Sequence, residues 1–341
     1  MNGMKIMQAG LIVMLAIACI LGSGCISQNQ NETGQRTETT TNPDTLYIGY
    51  QPSTHQMAFM TAFSKGWYQE ELKPFGIETI KDYQFPTGAP EMQAMLAGDL
   101  DFAYVGAAPF VTAVSNGLDG KIIAAVQTQG SALVIRTGLI YNSPEDLKGL
   151  TIATFPSGTI QDTLLRTWLS ENNIDPDTDV SIKAMGPGDA TTAIIAGQID
   201  ATFLPAPAPT AIEGAGAGYT IVQSGDMFPN HACCVLVASN TMIQDHPDIV
   251  QQVLAIHKKA SEYNKENSSE AATIMSGMTG MDVAVIMKSL EDWDGHFVAD
   301  PHLINDSVTS YATIQYELGY LTNPVSQDDL FDFSFWDKQL E

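Results

Sequence analysis

The sequence predicts an α/β protein of two similar lobes, each a doubly wound, mostly parallel sheet covered by helices. Three observations predict it: a length of 341 residues, an alternation of strands and helices after residue 44, and a near-repeat within that alternation. A chain this long exceeds what one hydrophobic core usually serves, which favours two lobes. Residues 94–109, AMLAGDLDFAYVGAAP, return in similar form at residues 193–207, AIIAGQIDATFLPAP. Each copy reads as a helix end, a turn, a strand and a proline-containing loop, so we interpret the copies as equivalent positions in two sheets.

Hydrophobic periodicity places the elements of the first half of the chain. Short apolar runs alternate with amphipathic stretches, an order typical of βαβ units and a mostly parallel sheet. The predicted strands are residues 45–51, 77–85, 100–106 and 121–128, and the predicted helices are residues 55–72, 90–98 and 109–117. Gly98 is predicted to end its helix in the left-handed conformation that glycine adopts easily.

The second half repeats this order and then becomes mainly helical from Thr241 onward. Its predicted strands are residues 131–138, 150–156, 179–185, 199–205, 219–225 and 232–239, and its predicted helices before Thr241 are residues 159–173 and 189–197. In the two copies of the repeat, Gly98 and Gly197 end a helix, whereas Asp101 and Asp200 begin a strand. We interpret these aspartates as turn-forming residues.

Composition excludes several classes of function. The chain carries 39 Asp and Glu against 15 Lys and Arg, a formal net charge of −24. Nucleic acids and anionic lipid surfaces attract basic patches, so this balance argues against both as docking partners. The apolar fraction of 44% suffices for a sizeable core, and we interpret the acidic charge as a solvated surface.

The N-terminus resembles a lipoprotein signal. Lys5 precedes an apolar run at residues 11–21, and small residues lead to Cys25. Cleavage there would make Cys25 the lipid-bearing first residue, although Gly22 stands where such signals usually have leucine. The alternative is an uncleaved anchor, because residues 6–26 are about long enough to cross a bilayer.

Both interpretations anchor the protein to the outer face of the cytoplasmic membrane, with the folded part outside the cytoplasm. Residues 1–25 are predicted as the signal, and the polar residues 26–44 as a flexible tether. Asn31, Asn267 and Asn305 head glycosylation sequons, which often arise by chance.

The four cysteines give no disulfide framework. Cys19 and Cys25 belong to the signal, and Cys233 and Cys234 are adjacent. We interpret this pair as small strand residues, because a vicinal disulfide needs an unusual ring. The histidines show no metal-binding spacing, so neither a metal nor a cofactor is predicted.

Six segments resemble a known family, in this order: IGYQPSTHQ, TGAPEMQAMLAGDLDFAYVGAAP, GSALVIR, DLKGLTIATFPSGT, TFLPAPAP and HACCVLVAS. They are similar to the substrate-binding proteins of nitrate/sulfonate/taurine-type ABC transporters over nearly all of residues 45–265. The resemblance implies the type 2 periplasmic-binding-protein fold, in which two crossover strands form a hinge between two lobes and a ligand cleft lies between them. The crossovers would be residues 131–138 and 232–239, lobe 1 would comprise residues 45–137 and 233–341, and lobe 2 would comprise residues 138–232.

The resemblance also implies what such a protein does. It would be a monomeric, non-enzymatic protein that captures a small anionic solute for an ABC permease and its ATPase. The solute would be an aliphatic sulfonate, taurine, nitrate or bicarbonate. Closure of the lobes about the ligand is the expected motion.

Small-residue loops indicate how an acidic protein could hold such an anion. They open helices after predicted strands at residues 52–56, 87–91, 106–110 and 156–160. Backbone N–H groups at helix starts favour anions, and open α/β sheets bind ligands at strand C-termini. The candidate ligand-binding residues are Gln51, Ser53, Thr54, His55, Thr87, Gly88, Ala89, Gly106, Ala107, Ser131, Ser157, Gly158, Thr159, Leu204 and His231.

Two other functions stay open. The same fold could bind a thiamine pyrimidine or another heteroaromatic precursor, for which Trp67, Tyr83 and Tyr104 are candidate stacking residues. A pyridoxal-phosphate-dependent pyrimidine synthase of thiamine biosynthesis shares the fold and uses a histidine and a cysteine-rich segment, which residues 231–234, HACC, resemble faintly. An export signal argues against this enzyme, because its cofactor is cytosolic.

Overall fold

The computed structural model describes residues 43–340. The predicted signal, Cys25 and nearly all of the predicted tether lie outside the described residues. Within residues 43–340, no helix has both the length and the apolar character that a bilayer crossing requires.

The predicted alternation of strands and helices is confirmed. The strands are β1 (Thr45–Tyr50), β2 (Thr79–Gln84), β3 (Phe102–Gly106), β4 (Gly120–Thr128), β5 (Ser131–Arg136), β6 (Thr151–Thr154), β7 (Ser181–Ala184), β8 (Ala201–Pro205), β9 (Gly218–Gln223), β10 (Ala232–Ser239) and β11 (His296–Phe297). The helices before β10 are α1 (Met57–Ser64), α2 (Trp67–Leu72), α3 (Gly88–Leu96), α4 (Ala107–Ser115), α5 (Ile160–Glu171), α6 (Pro187–Ile195), α7 (Ala208–Gly214) and α8 (Ser224–Met227). Short 3-10 turns cover Thr54–Gln56, Lys73–Phe75 and Pro144–Leu147.

The C-terminal part is helical, as predicted. It contains α9 (Asn240–Asp245), α10 (Pro247–Glu266), α11 (Ser268–Thr279), α12 (Val283–Asp292), a 3-10 turn (Pro301–Ile304), α13 (Asn305–Glu317), α14 (Gln327–Leu330) and α15 (Ser334–Asp337). Helix α10 packs on α1 and α2, α12 packs on α7, and α13 packs on both α4 and α5. These helices therefore cover both halves of the α/β part.

The strands form two sheets of matching topology. The order is β2-β1-β3-β10-β4-β11 in the first sheet and β7-β6-β8-β5-β9 in the second. In the first sheet β1 pairs in parallel with β2 and β3, and in the second β6 pairs in parallel with β7 and β8. One antiparallel strand is inserted at the equivalent place in each, β10 beside β3 and β5 beside β8. The predicted α/β fold with two equivalent sheets is confirmed. The prediction that the sheets are mostly parallel is wrong: both are mixed, because β10 pairs antiparallel with β3 and β4, β11 with β4, and β5 with β8 and β9.

The repeated segments perform the same task in the two sheets. Gly98 (φ 83°) and Gly197 (φ 68°) both adopt the left-handed conformation after α3 and α6. Asp101 then accepts a hydrogen bond from the backbone N–H of Tyr47 at 2.8 Å, and Asp200 accepts one from Thr151 at 3.0 Å. Each carboxylate thus ties the start of its strand to the neighbouring parallel strand.

The chain passes between the sheets twice. It leaves the first sheet between Thr128 and Ser131 and returns to it between Gln223 and Ala232. Strand β5 consequently pairs within the second sheet, although the predicted lobe 1 includes it. Apart from this strand, the sheets group the chain much as the predicted lobes do, and the lobe boundaries stay a prediction.

Hydrogen bonds join the two passages. The Gln129 N–H donates to the carbonyl of His231 at 3.0 Å, and Asn230 N–H donates to Gln129 Oε1 at 2.7 Å. The Asp294 carboxylate accepts from Gly130 N–H at 2.8 Å and from Gly225 N–H at 2.6 Å. One carboxylate therefore bridges both passages.

The predicted helix at residues 55–72 is wrong as a single helix. The structure divides it into the turn Thr54–Gln56, α1 and α2. Gly66 separates the two helices with φ 73°, a conformation that interrupts the helical path and that residues with a Cβ adopt rarely. The amphipathic spacing of apolar residues continues across this break, so periodicity alone did not reveal it.

A candidate ligand-binding cavity between the two sheets

A cavity of about 540 Å³ lies where strand ends and helix starts of the two sheets meet. Its volume is in the range of small-molecule sites. The first sheet and its helices contribute Gln51, Pro52, Ser53, His55, Gln56, Phe85, Pro86, Gly88, Gly106, Pro109, Cys233 and Cys234. The second contributes Phe155, Thr159, Ile160, Gln161, Gly186, Pro187, Gly188, Asp189, Thr191, Pro205, Ala206, Pro207, Ala208 and Ala211, and the C-terminal part adds Met281, Asp282 and Val285.

Among the helices that begin at this cavity are α3, α4, α5 and α6, each of eight or more residues. First-turn N–H groups have no partner within their own helix. The N-cap residues of three of these helices, Thr87, Gly106 and Gly186, make no capping hydrogen bond through a side chain. In α5, the Thr159 hydroxyl accepts from the Asp162 N–H at 3.3 Å. The cavity wall therefore offers backbone donors on both sides.

Charged side chains are scarce around the cavity. Among the described residues that line it, none is lysine or arginine, and the acidic ones are Asp189 and Asp282. Both aspartates are exposed, at the starts of α6 and α12. Asp282 accepts a hydrogen bond from the Ala284 N–H at 2.8 Å. The rest of the lining is largely apolar, with Phe85, Phe155 and Met281 as its large side chains.

A buried polar network holds the two glutamines of the first wall. Gln51 Nε2 donates to Glu91 Oε2 at 2.8 Å, and Gln51 N–H donates to Gln56 Oε1 at 2.5 Å. Glu91 is fully buried, and burial raises the pKa of its carboxyl well above the ordinary value. This network orients Gln51 and Gln56 at the cavity, and it depends on an acid that favours its neutral form.

Six of the residues predicted to bind ligand line the cavity: Gln51, Ser53, His55, Gly88, Gly106 and Thr159. Other predicted residues are their neighbours in sequence or in space, but their polar atoms form hydrogen bonds with other protein groups. Thr54 Oγ1 donates to the Ala206 carbonyl at 2.9 Å, and Ser131 Oγ accepts from Gln161 Nε2 at 3.0 Å. The Gly158 carbonyl accepts from Gln315 Nε2 at 2.9 Å.

The remaining predicted residues are placed as follows. Thr87 and Ala107 are buried at the starts of α3 and α4, Ala89 and Ser157 are exposed, and Leu204 belongs to a buried apolar cluster of the second sheet. His231 is fully buried, with Nδ1 at 2.9 Å from Tyr311 Oη and 3.1 Å from the Ala232 carbonyl. Burial lowers the pKa of His231 to about 4. The structure does not place these residues in the cavity lining, and ligand contact by any predicted residue stays a prediction.

Several residues that line the cavity were not among those predicted from the sequence. The loop at Gly186–Gly188 follows a strand and opens a helix, as the four predicted small-residue loops do. The same pattern therefore marked it in the sequence. Gln161 and Gln56 lie inside or beside helical stretches, where a polar residue is ordinarily exposed. Val285 comes from the C-terminal helices, and no local pattern marks its approach to the cavity.

Cys233 and Cys234 are also part of the wall, together with His55. His55 Nδ1 lies 3.1 Å from Cys233 Sγ, and Gln56 Nε2 donates to Cys234 Sγ at 3.7 Å. All three side chains are buried, and both thiols are free. The Cys233 thiol lowers the pKa of Cys234, helped by His55 and Gln56 and against the effect of burial. Cys233 and Cys234 were predicted to be ordinary small strand residues. Together with His55, they form a polar cluster in the cavity wall.

Two topologically equivalent sheets, joined by two passages and enclosing a cavity at their strand ends, define the type 2 periplasmic-binding-protein fold. The chain belongs to the NMT1-like family, whose sequence profile matches residues 39–276. The resemblance to substrate-binding proteins of nitrate/sulfonate/taurine-type transporters is confirmed.

Individual relatives are distant. A Bacillus subtilis (strain 168) protein named for aliphatic-sulfonate binding is 24% identical over 339 residues, which cover 98% of each chain. The alkanesulfonate-binding protein SsuA from Xanthomonas axonopodis pv. citri superposes with a TM-score of 0.73 at 20% identity, covering 83% of this chain and 96% of its own. The nitrate-binding protein NrtA from Synechocystis PCC 6803 gives a TM-score of 0.76 at 16% identity, covering 86% and 88%. At these identities the structures show the shared fold.

Proposed function

We propose that this protein is the extracytoplasmic solute-binding component of an ABC importer and that it captures a small oxyanion, with aliphatic sulfonates as the preferred class. Its partners would be a permease and an ATPase, and a lipid on Cys25 would hold it at the membrane. The observation that carries the proposal is the convergence of four helix starts on one cavity whose described lining has no lysine or arginine.

Backbone donors suit an anion that is fully ionised and carries no proton. A helix N-terminus contributes about 0.3–1 kcal/mol toward an exposed anion and up to about 2 kcal/mol in a partly buried site. Several such termini, with the side chains of Ser53 and Gln56, suffice for micromolar binding, which corresponds to about 8 kcal/mol. The names of the distant relatives, which concern sulfonates and nitrate, point to the same class of solute.

The apolar lining favours a sulfonate over a compact inorganic anion. Phe85, Phe155 and Met281 offer a surface for an alkyl group, which burial stabilises by about 0.8 kcal/mol per methylene. Asp189 and Asp282 at the edge would attract a terminal ammonium group, as in an aminoalkanesulfonate. We therefore expect affinity to rise from nitrate and bicarbonate to ethanesulfonate and to longer sulfonates, with taurine sensitive to the two aspartates.

A pair of substitutions at Gly188 tests whether backbone donors hold the anion. Gly188 is in the first turn of α6 and lines the cavity, and a Cβ there would meet nothing within 4 Å. Gly188→Pro removes one N–H group, whereas Gly188→Ala retains it. Losing a hydrogen bond to a charged group costs about 1.5–3 kcal/mol, so Gly188→Pro should weaken sulfonate binding about ten- to a hundredfold. Calorimetric titration measures this effect, and Gly188→Ala is the matched control.

Equal affinity of the two variants, with unchanged melting of the free proteins, would mean that this N–H does not contact the solute. A wider test of the proposed function is a thermal-shift panel of ethanesulfonate, taurine, nitrate, bicarbonate, an uncharged pyrimidine and pyridoxal phosphate. Ligand at a hundred times its dissociation constant stabilises the folded state by about 2.7 kcal/mol. A shift with the pyrimidine alone would favour the heteroaromatic precursor, and a shift with pyridoxal phosphate alone would favour the enzyme.

Cys25→Ser tests the proposed anchoring in cells. If Cys25 carries the lipid, the variant should be released from the membrane fraction or accumulate as an unprocessed precursor. Fractionation and intact-mass measurement distinguish these outcomes from wild type, and Cys19→Ser is the control, since Cys19 would be removed with the signal. A Cys25→Ser protein that stays in the membrane at unchanged mass would indicate the uncleaved anchor instead.

A further inference from the structure

We propose that His55, Cys233 and Cys234 form a binding site for a zinc-type metal ion in the wall of the cavity. The proposal concerns the metal alone and does not depend on which solute the cavity accepts. It rests on the juxtaposition of one imidazole and two thiols from segments 178 residues apart in sequence.

The distances suit a shared metal ion. One ligand atom from each of the three side chains lies within 4.8 Å of the others, and His55 Nδ1 lies 3.1 Å from Cys233 Sγ. Zinc bonds of about 2.3 Å to sulfur and about 2.0 Å to nitrogen separate tetrahedral ligand atoms by roughly 3.3–3.8 Å. Small side-chain rotations therefore convert the present arrangement into a coordination shell. Two thiolates and an imidazole select soft or borderline ions such as zinc over magnesium or calcium.

The surroundings orient the ligands as metal sites require. His55 Nε2 lies 2.8 Å from the Gly130 carbonyl. A carbonyl accepts, so this contact places the ring proton on Nε2 and directs the lone pair of Nδ1 toward Cys233. Histidine ligands typically donate their second nitrogen to such an acceptor. Gln56 Nε2, 3.7 Å from Cys234 Sγ, supplies a donor to the second sulfur.

An irregularity in β10 bears on how two adjacent cysteines approach one histidine. Successive side chains of a regular strand point to opposite faces of the sheet. The pairing of β10 with β4 shifts register between Ala232 and Cys234 and again between Cys234 and Val235. Such bulges re-aim side chains, so both thiols can approach the same imidazole.

The proposed site has an open coordination position. Three protein ligands leave a fourth position for water or a solute, and all three residues line the cavity.

Metal titration of the reduced, full-length protein tests this site. We expect one zinc ion per chain by calorimetry, and we expect cadmium to add the ultraviolet absorption typical of thiolate–metal charge transfer. Cys233→Ser, Cys234→Ser and His55→Asn should each weaken zinc binding by about a hundredfold or more, since even removing a supporting second-layer group typically costs 10–100-fold. His302→Asn is the matched control, because His302 is exposed and pairs with Asp337 away from the cavity.

Alkylation provides a readout that needs no variant. Stoichiometric zinc should protect Cys233 and Cys234 of wild type from iodoacetamide, and magnesium at the same concentration should not. Circular dichroism establishes that each variant is folded. The proposal is overturned if reduced wild type binds no stoichiometric zinc, if cadmium adds no thiolate band, or if the three variants bind zinc as wild type does.

Discussion

Replacing Gly130 with valine is expected to lower the melting temperature by about 10 °C and to weaken solute binding strongly. Gly130 lies in the first passage between the sheets with φ 85°. A Cβ there would lie 2.5 Å from Gln127 Nε2, 2.8 Å from Trp293 Cε3 and 2.9 Å from His55 Nε2. The left-handed backbone costs a branched residue about 1–2 kcal/mol and overpacking about 1–3 kcal/mol more, and each kcal/mol shifts the melting of a large domain by roughly 2–4 °C.

Binding should suffer because the crowded atoms support the cavity wall. His55 lines the cavity and holds its position through the Gly130 carbonyl, and the Gly130 N–H donates to Asp294, which also accepts from Gly225. A shift at Gly130 therefore disturbs both passages between the sheets as well as the wall.

Gly138→Val is the matched control for this substitution. Gly138 has φ 94°, but a Cβ there would meet nothing within 4 Å. The Gly138→Val variant has the cost of a left-handed backbone but none of the close contacts of Gly130→Val. It should therefore melt only slightly below wild type and bind solute normally. If Gly138→Val and Gly130→Val lose equal stability, the contacts around Gly130 do not matter and the explanation given for it is wrong.

The second large effect is a pH dependence that arises from His257. This side chain is fully buried in α10, with Nε2 at 2.7 Å from the Ala125 carbonyl and Nδ1 at 3.2 Å from Tyr104 Oη. Burial lowers the pKa of His257 from 6.5 to about 4. Between these values the unfolded chain binds the proton and the folded chain does not, so His257 destabilises the fold progressively as the pH falls. A pKa shift of this size lowers the free energy of unfolding by about 3 kcal/mol when the pH falls from about 7 to about 4.

A comparison with His257→Gln isolates this contribution. The free energy of unfolding of wild type should exceed that of the variant at about pH 7, and this difference should shrink by about 3 kcal/mol on acidification to about pH 4. Urea unfolding across this range measures the difference. The pH dependence of wild-type stability combines several groups. The lowered pKa of His231 also destabilises the fold as the pH falls, whereas the raised pKa of Glu91 stabilises it.

Val253→Ala serves as the control for that comparison. Val253 is buried on the same helix, and its truncation removes packing without removing a titrating group. Its stability difference from wild type should be the same at both ends of the pH range. A His257→Gln difference that also stays constant would contradict the assigned burial of a neutral imidazole.

Short-range patterns were sufficient to predict most of the fold. The alternation of apolar runs gives the order of elements, because strand and helix periodicities are local properties of the side chains. The near-repeat identified equivalent strands in two sheets, and the small-residue loops identified helix starts that line the cavity, including Gly88, Gly106 and Thr159. A break such as the one at Gly66 escaped this reasoning, since its backbone conformation leaves the apolar pattern unchanged.

Local sequence patterns were therefore enough to predict the two-sheet architecture and the helix starts at which backbone N–H groups are free. Which side chains face the cavity could not be predicted from these patterns, because it depends on strand register and on contacts between residues far apart in sequence. Thr54 reaches across to Ala206, and His231 is enclosed by Tyr311, although both belong to segments with the expected pattern. His55 and Cys233 meet for the same reason: β10 is inserted between β3 and β4, which brings a strand from the second half of the chain against the first loop of the protein.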